Sequence, residues 1–540
     1  MTITKRQTNE TLRSDMWRAC DILRRDNNVG GVMQYTEHLA WLLFLKFLDE
    51  EEQERLAQAA LGEGEHYEPV LQGDLAWDAW AGPEKLATWR VDDLIQFVRG
   101  RLLPGLSTLT GSPLARTVAR IFSDESVGDQ NVVRNVPVCA SGYNLKDVLT
   151  IINSIHFGSD DDIYTISQVY EDLLERMGAE NRIAGEFYTP RSVIRFMVDV
   201  IAPQIGETVY DPASGSAGFL VAAYEAMQPQ ERTSDDRETL QHRTLFGQEK
   251  KGVSALLGTM NMVLHRVATP NITRTNTLEE SVKGSVSGRF DVVLTNPPFG
   301  GTEGGHIQQN FPVKSNATEL LFLEHIIKKL KHTPDARCGV VVPEGTLFRG
   351  GAFAEVKKDL LEQFHLFAVV SLPPGTFAPY SDVKTALLFF QRPDRVAERN
   401  PLARHETWYY ELPLPDGAEE VQQGQPDSGR ALRRGTCGLG RVAALAGRRR
   451  RAPFLLAADA RAAAEKGRAA SADAWVESAD DLKARGYDLS ARNPVLNERE
   501  ALPHPAELTA RLLERTRELT SILENLHAMV SNGDEASNGD

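Results

Sequence analysis

The residues with the clearest chemical potential are Asn296-Pro297-Pro298-Phe299, which close the apolar run in "RFDVVLTNPPFGG", Arg289 to Gly301. Pro297 biases Asn296 toward an extended backbone, and Pro298 does the same to Pro297, so few local conformations remain. The side-chain oxygen of Asn296 and the carbonyl of Pro297 can then accept both hydrogens of one exocyclic amine, while Phe299 offers a face to the ring that bears it. A planar amine is a poor nucleophile because its lone pair is delocalised. Fixed acceptors on both N–H bonds favour a pyramidal nitrogen whose lone pair points at an electrophile. Stacking of a base on the aromatic adds roughly 1–3 kcal/mol. A buried strand ending in an ordinary proline turn would explain neither the amide nor the aromatic.

Two further strand ends carry suitable residues. In "VYDPASGSAGFLVAAY" a strand ends on Asp211 and passes through a small-residue turn, Gly215, Ser216, Ala217 and Gly218, into a helix. Small residues let backbone amides and the helix N-terminus approach a ligand closely, and Asp211 can accept from an ammonium. A plain tight turn would use the same residues. The turn lacks the Gly-Lys-Ser/Thr pattern that cradles a nucleoside triphosphate. In "TLFGQEKKG" Glu249 ends the next apolar run, where an acid commonly holds the ribose hydroxyls of an adenosine. Taken alone it is also consistent with a solvated surface glutamate.

These ends need a scaffold. The runs "ETVYD", "TLFGQE", "FDVVLT", "CGVVVPE", "LFAVVSLP" and "TALLFFQ" alternate with helical periods, which predicts a parallel sheet with helices on both faces. The last two runs, separated by "PGTFAPYSDVK", are expected to pair as a hairpin with one antiparallel strand. The chain before them reads as helical: Leu12, Met16, Ala19, Cys20 and Leu23 form one stripe, and "TEHLAWLLFLKFLDEEEQERL" a more buried helix beyond Gly30 and Gly31. Near the end, Leu508, Leu512, Leu519, Ile522 and Leu526 mark an amphipathic helix followed by a polar tail. At 540 residues the chain is long enough for two or three domains. Its net charge of -15 argues against a general polyanion-binding surface, so if nucleic acid is the substrate another chain should hold most of it. Cys20, Cys139, Cys338 and Cys437 lie far apart without metal-ligand or redox spacing, so no metal site is expected and a reducing cytoplasm is the simplest location. The stretch "LAWLLFLKFL" is too short to span a bilayer.

Together these residues resemble the amino-directed DNA methyltransferases, and most closely the modification subunit of type I restriction-modification systems, over nearly the whole chain. "GEFYTPRSVIRFMV" looks like the family's cofactor motif, which assigns Glu186, Phe187, Tyr188, Thr189, Pro190 and Arg191 to the cofactor; Thr189 is expected to cap a helix with Pro190 in its first turn. That helix N-terminus would face the cofactor's carboxylate. "DPASGSAGFL" looks like the glycine motif, although Ala217 stands where many relatives have glycine. "GQEK" carries the ribose-binding acid. At "TRTNTLEE" many relatives carry an acid that contacts the cofactor's adenine; here Asn276 stands nearby. "TNPPF" is similar to the catalytic motif in its adenine-favouring form. "FAPYSDVKTALLFF" and "DLKARGYDLSARNP" also resemble this subunit, whereas the Ala- and Arg-rich stretch before "AWVES" does not.

The resemblance implies a Rossmann-like α/β methyltransferase domain using S-adenosylmethionine at residues 166–410, after an all-helical domain at 1–165. A linker at 411–475 and a helical, partner-binding segment with a disordered tail at 476–540 would follow. It implies N6-adenine methylation of double-stranded DNA, a specificity subunit gripped by the C-terminal helix, two copies of this chain per specificity subunit, and a restriction subunit carrying motor and nuclease. Methylation of protein glutamine or RNA, or a non-catalytic scaffold, stays open on the residues alone.

Overall fold

In a computed structural model of the chain, the described residues are 9–61, 67–123, 138–155, 189–284, 286, 288–378, 381, 383–393, 406–412, 474–490, 516, 517 and 520. The expected amphipathic helix at Leu508 to Leu526 apart from residues 516, 517 and 520, the Ala- and Arg-rich stretch before "AWVES", and Glu186, Phe187 and Tyr188 lie outside them.

The first part is helical. Asn9–Arg24 buries Leu12, Met16, Ala19, Cys20 and Leu23, the stripe read from the sequence. Val32–Ala60 is apolar around most of its circumference in its first half, and Trp41, Leu42, Leu43, Phe44, Leu45, Phe47 and Leu48 are all buried, as expected of a central helix. Pro113–Phe122 and Gly142–Asn153 pack around it, each started by a serine, Ser112 or Ser141, whose hydroxyl accepts an amide of the first turn.

A nine-stranded sheet follows: β1 (Val209–Asp211), β2 (Leu245–Glu249), β3 (Ile272–Arg274), β4 (Val292–Thr295), β5 (Arg337–Pro343), β6 (His365–Ser371), β7 (Thr385–Gln391), β8 (Glu406–Glu411) and β9 (Ala474–Ser478). Their order across the sheet is β3-β2-β1-β4-β5-β7-β6-β8-β9. The strands from β3 to β5 are parallel, while β7 runs antiparallel between β5 and β6, as expected of the hairpin. Strands β3, β8 and β9 were not among the runs read as strands. Isolated from its neighbours, "ITR" is too short to show a period, and the outer strands β8 and β9 are separated in sequence by residues 412–473.

Alternation along the strands divides the core in two. Val209, Val292, Leu294, Val341, Leu387 and Phe389 face helices Arg191–Ile201 and Gly218–Met227, while Tyr210, Val293, Val340, Val342, Leu388 and Phe390 face helices Thr318–Lys329 and Ala352–Gln363. A strand buried on both faces must be apolar at every position, which is why these runs show no polar alternation. Helix Gly252–Leu264 belongs to both parts: Ala255 and Met262 lie in the sheet's core, Leu256, Leu257, Met260, Val263 and Leu264 in that of the helical part. Among the described residues no helix is long and apolar enough to cross a membrane.

Candidate active site

Because β1 lies between β2 and β4, the carboxyl ends that carry Asp211, Glu249 and Asn296 are neighbours, although the residues are far apart in sequence. The chain leaves β1 toward β2 on one side and reaches β4 on the other, which opens a crevice at the point where strand order reverses.

The turn after β1 is held from several directions. The Ser214 amide donates to the carbonyl of Gln248 and the Gly215 amide to Glu249 Oε2 at 3.0 Å, while the Lys251 amide donates to Oε1 at 2.8 Å. Asn261 Nδ2 donates to the Ser216 carbonyl, and Thr277 Oγ1 to the Pro212 carbonyl. Gly215 adopts φ +50° and Ala217 φ +62°. The left-handed region costs an L-residue roughly 1–2 kcal/mol, the physical reason a glycine would sit more easily at position 217. A Cβ on Gly258 would stand 2.8 Å from the Gly215 carbonyl, so helix Gly252–Leu264 approaches the turn as closely as backbone allows. Glu249 thus joins the two loops, and a carboxylate has acceptor positions enough to hold two backbone amides and a ribose diol together. The turn, the helix N-terminus at Gly218 and this acid fit a nucleoside with a charged tail.

Asp211 is buried, and its carboxylate accepts the Ala213 amide. Burial pushes its carboxyl up to about 7; the Ala213 amide opposes that shift and the charge of Glu249 adds to it. Asn276 starts the short turn Thr277–Glu279, with its side-chain oxygen accepting the Leu278 amide, beside the end of β3.

At the end of β4, Asn296 Nδ2 donates to Thr189 Oγ1 at 3.0 Å, and Asn296 Oδ1 is buried with no hydrogen-bond partner. Pro297 is buried, while Phe299 is half-buried against the core that includes helix Arg191–Ile201. The expectation that Thr189 caps this helix is corrected. Pro190 is the boundary residue, its carbonyl accepting the amides of Val193 and Ile194, and no side chain caps the end. Thr189 lies one residue too early to reach those amides, and its hydroxyl meets Asn296 instead.

Sequence reading missed the support behind Phe299. Gly300, at φ +69°, donates its amide to Glu319 Oε2, while Arg349 Nη1 reaches Glu319 Oε1 at 3.2 Å. A Cβ on Gly301 would stand 2.5 Å from Thr318 Oγ1. The paired glycines were the available signal that another element presses on this loop.

Comparison with known proteins follows this geometry. The N-6 DNA Methylase family model matches residues 160–424, and the HsdM N-terminal domain model matches residues 12–152. The type I restriction enzyme EcoEI methylase subunit of Escherichia coli is 37% identical over 414 residues, 75% of this chain and 78% of its own length. This chain belongs to the type I restriction enzyme methylase subunits. The methylase subunit is a site-specific DNA methyltransferase acting on adenine N6 within a type I complex. Similarity extends to the EcoKI methylase subunit of Escherichia coli, 31% identical over 75% of this chain and 72% of its own. Among solved structures, a chain from work on complex assembly and conformational transition of the type I R-M system is 53% identical, with a TM-score of 0.71, covering 98% of this chain and 99% of that one. A modification subunit assigned to a type I restriction enzyme of Vibrio vulnificus YJ016 is 34% identical, with a TM-score of 0.73, covering 93% and 99%. These similarities lend no support to a protein or RNA methyltransferase or to a non-catalytic scaffold.

Proposed function

We propose that this methylase subunit transfers a methyl group from S-adenosylmethionine to an adenine turned out of double-stranded DNA, with Asn296 Oδ1 and the Pro297 carbonyl accepting the two hydrogens of the amine. The observation that carries this reading is the buried, unpartnered Asn296 Oδ1 at the carboxyl end of β4. Leaving an acceptor without a partner costs about 1–3 kcal/mol, a cost that a bound amine removes. Pro298 keeps the backbone rigid and Phe299 stacks on the base.

S-adenosylmethionine supplies the methyl group on a sulfonium. Glu249 holds the ribose, and Asn276 lies where the adenine of the cofactor would reach. Asp211 with the turn Gly215, Ser216, Ala217 and Gly218 surrounds the charged tail, together with the segment Glu186, Phe187, Tyr188, Thr189, Pro190 and Arg191. Positioning and a fixed polar site account for most of the acceleration. The amine loses its proton after transfer, so no strongly basic residue is required. In a labelled-methyl assay on duplex DNA with the specificity subunit present, Asn296→Ala is expected to lower incorporation at least about a hundredfold, the scale of losing one fixed catalytic hydrogen bond. Equal incorporation by the native chain and the variant would overturn the reading.

For the division of labour we keep the boundaries expected from the sequence, residues 1–165 helical, 166–410 catalytic, 411–475 linking and 476–540 gripping the specificity subunit, except that residues 474–490, with β9 in the sheet and Leu482 and Leu489 in its core, go with the catalytic part. Two copies of this chain per specificity subunit, joined by a restriction subunit, complete the assembly. The net charge of -15 supports leaving sequence choice to a partner. Deleting residues 505–540 is expected to abolish co-purification with the specificity subunit; undiminished co-purification would exclude that contact.

A further inference from the structure

An asparagine amide has two nearly identical shapes. Rotating it by half a turn exchanges the oxygen for the nitrogen, and with them the acceptor for the donors. At Asn296 the difference decides the chemistry, since an amine facing Nδ2 would meet donor against donor and keep its planar, unreactive form. The Asn296 backbone, stiffened by Pro297 and Pro298, sets where the side chain starts but not which end of the amide faces the crevice. Holding the amide still requires a partner at its other end.

The partner is Thr189. Its hydroxyl oxygen lies 3.0 Å from Asn296 Nδ2, in the orientation that leaves Oδ1 buried and unpaired, and this is the hydrogen bond made by the Asn296 side chain among the described residues. It reaches across 107 residues of sequence, from the residue before the boundary of helix Arg191–Ile201 to the end of β4. Local sequence therefore does not impose it. Helix Arg191–Ile201 is anchored by Val193, Ile194, Met197, Val198 and Ile201 in the sheet's core, so the hydroxyl is presented from a rigid base.

We infer that Thr189 is a positioning residue for methyl transfer: its hydroxyl, bonded to Asn296 Nδ2, holds the amide in place with Oδ1 toward the amine, in addition to its place in the segment around the cofactor. This rests on the reading of Asn296 as the amine's acceptor. Thr189→Val keeps the shape of the side chain and removes the oxygen, and Thr189→Ser keeps the oxygen. Without the oxygen the Asn296 amide loses this hydrogen bond, and Oδ1 is held less firmly toward the crevice.

The test uses the full chain with its specificity subunit on duplex DNA containing the recognised site, measuring kcat, KM for DNA, equilibrium binding of S-adenosylmethionine and the melting temperature, with Asn296→Ala alongside. At saturating S-adenosylmethionine, Thr189→Val is expected to lower kcat about tenfold or more, equivalent to about 1.4 kcal/mol, with KM for DNA within about twofold of native. Thr189→Ser is expected to restore kcat to within about threefold of native. Native kcat in Thr189→Val beside a silent Asn296→Ala would overturn the inference and leave the role of Asn296 intact. A loss in Thr189→Val that saturating cofactor restores, or absence of rescue by serine, would leave Thr189 only its place around the cofactor or in the packing and would also overturn it. Should Thr189→Val melt early, Thr189→Ala with the serine variant reads the same split. An active Asn296→Ala would instead remove the reading on which the inference rests.

Discussion

Asp211 ends β1 in a place where a carboxylate is hard to ionise. With burial as the main cause, its carboxyl rises from 3.8 to about 7, so the folded chain holds that proton more tightly than the unfolded chain does. The stabilising effect of the bound proton is complete below the unfolded value of 3.8 and is lost as pH rises through about 7. Asp211→Asn keeps an acceptor for the Ala213 amide and removes the titration. We expect its melting temperature to exceed that of the native chain at pH 8 and to converge toward it near pH 4, the free-energy difference at pH 8 being on the order of a few kcal/mol. A constant difference at all pH values would show that the burial of charge is not what matters there. Asn296 and Ala217 belong to the same scale. One carries an acceptor left without a partner, the other a left-handed backbone without glycine, and in both the local cost sits beside the crevice.

Elements explain how such residues are kept in place. Helix Gly252–Leu264 begins just after Glu249 and lies against the β1 turn, where Gly258 leaves room for the Gly215 carbonyl. Gly258→Ala would bring a Cβ to 2.8 Å from that oxygen, a distance that backbone must relieve by moving. The expected outcome is a loss of about 1–3 kcal/mol in stability together with weaker S-adenosylmethionine binding, read by denaturation and by equilibrium titration. Unchanged cofactor affinity would separate the turn from the cofactor. On the opposite edge of the crevice, buried Lys357 donates to the carbonyls of Leu347 and Arg349, and the Leu489 amide also reaches Leu347. Residues near the end of the described sheet region thus steady the loop from which Arg349 meets Glu319 and, through it, Gly300 behind Phe299.

Across the whole molecule, the same helix carries side chains in both hydrophobic cores, so the helical first part and the sheet share an element rather than merely touching. Leu256, buried at 4% exposure, faces the helical part. Leu256→Ala is expected to lower stability by about 2–5 kcal/mol and to separate the unfolding of the helical part from that of the sheet in a denaturant titration followed by tryptophan fluorescence and circular dichroism. A single transition with native midpoint would mean that the shared helix does not couple them. The same helix also lies against the turn after β1, through Gly258 and the Gly215 carbonyl.

The helices of the first part, the strands β1, β2, β4, β5, β6 and β7, and the amide, acid and small-residue turn at their ends were legible in the sequence, because periodicity and turn chemistry are local properties. Three short or outlying strands were not, since β3, β8 and β9 are defined by neighbours distant in the chain. The residue types of Asn296-Pro297-Pro298-Phe299 by themselves led to the expectation of a held amine and a stacked ring. What holds the Asn296 side chain in place was decided only by tertiary structure. Thr189 arrives beside it from 107 residues away, a partner that no local sequence supplies and only the packing of helix Arg191–Ile201 against the sheet brings to it.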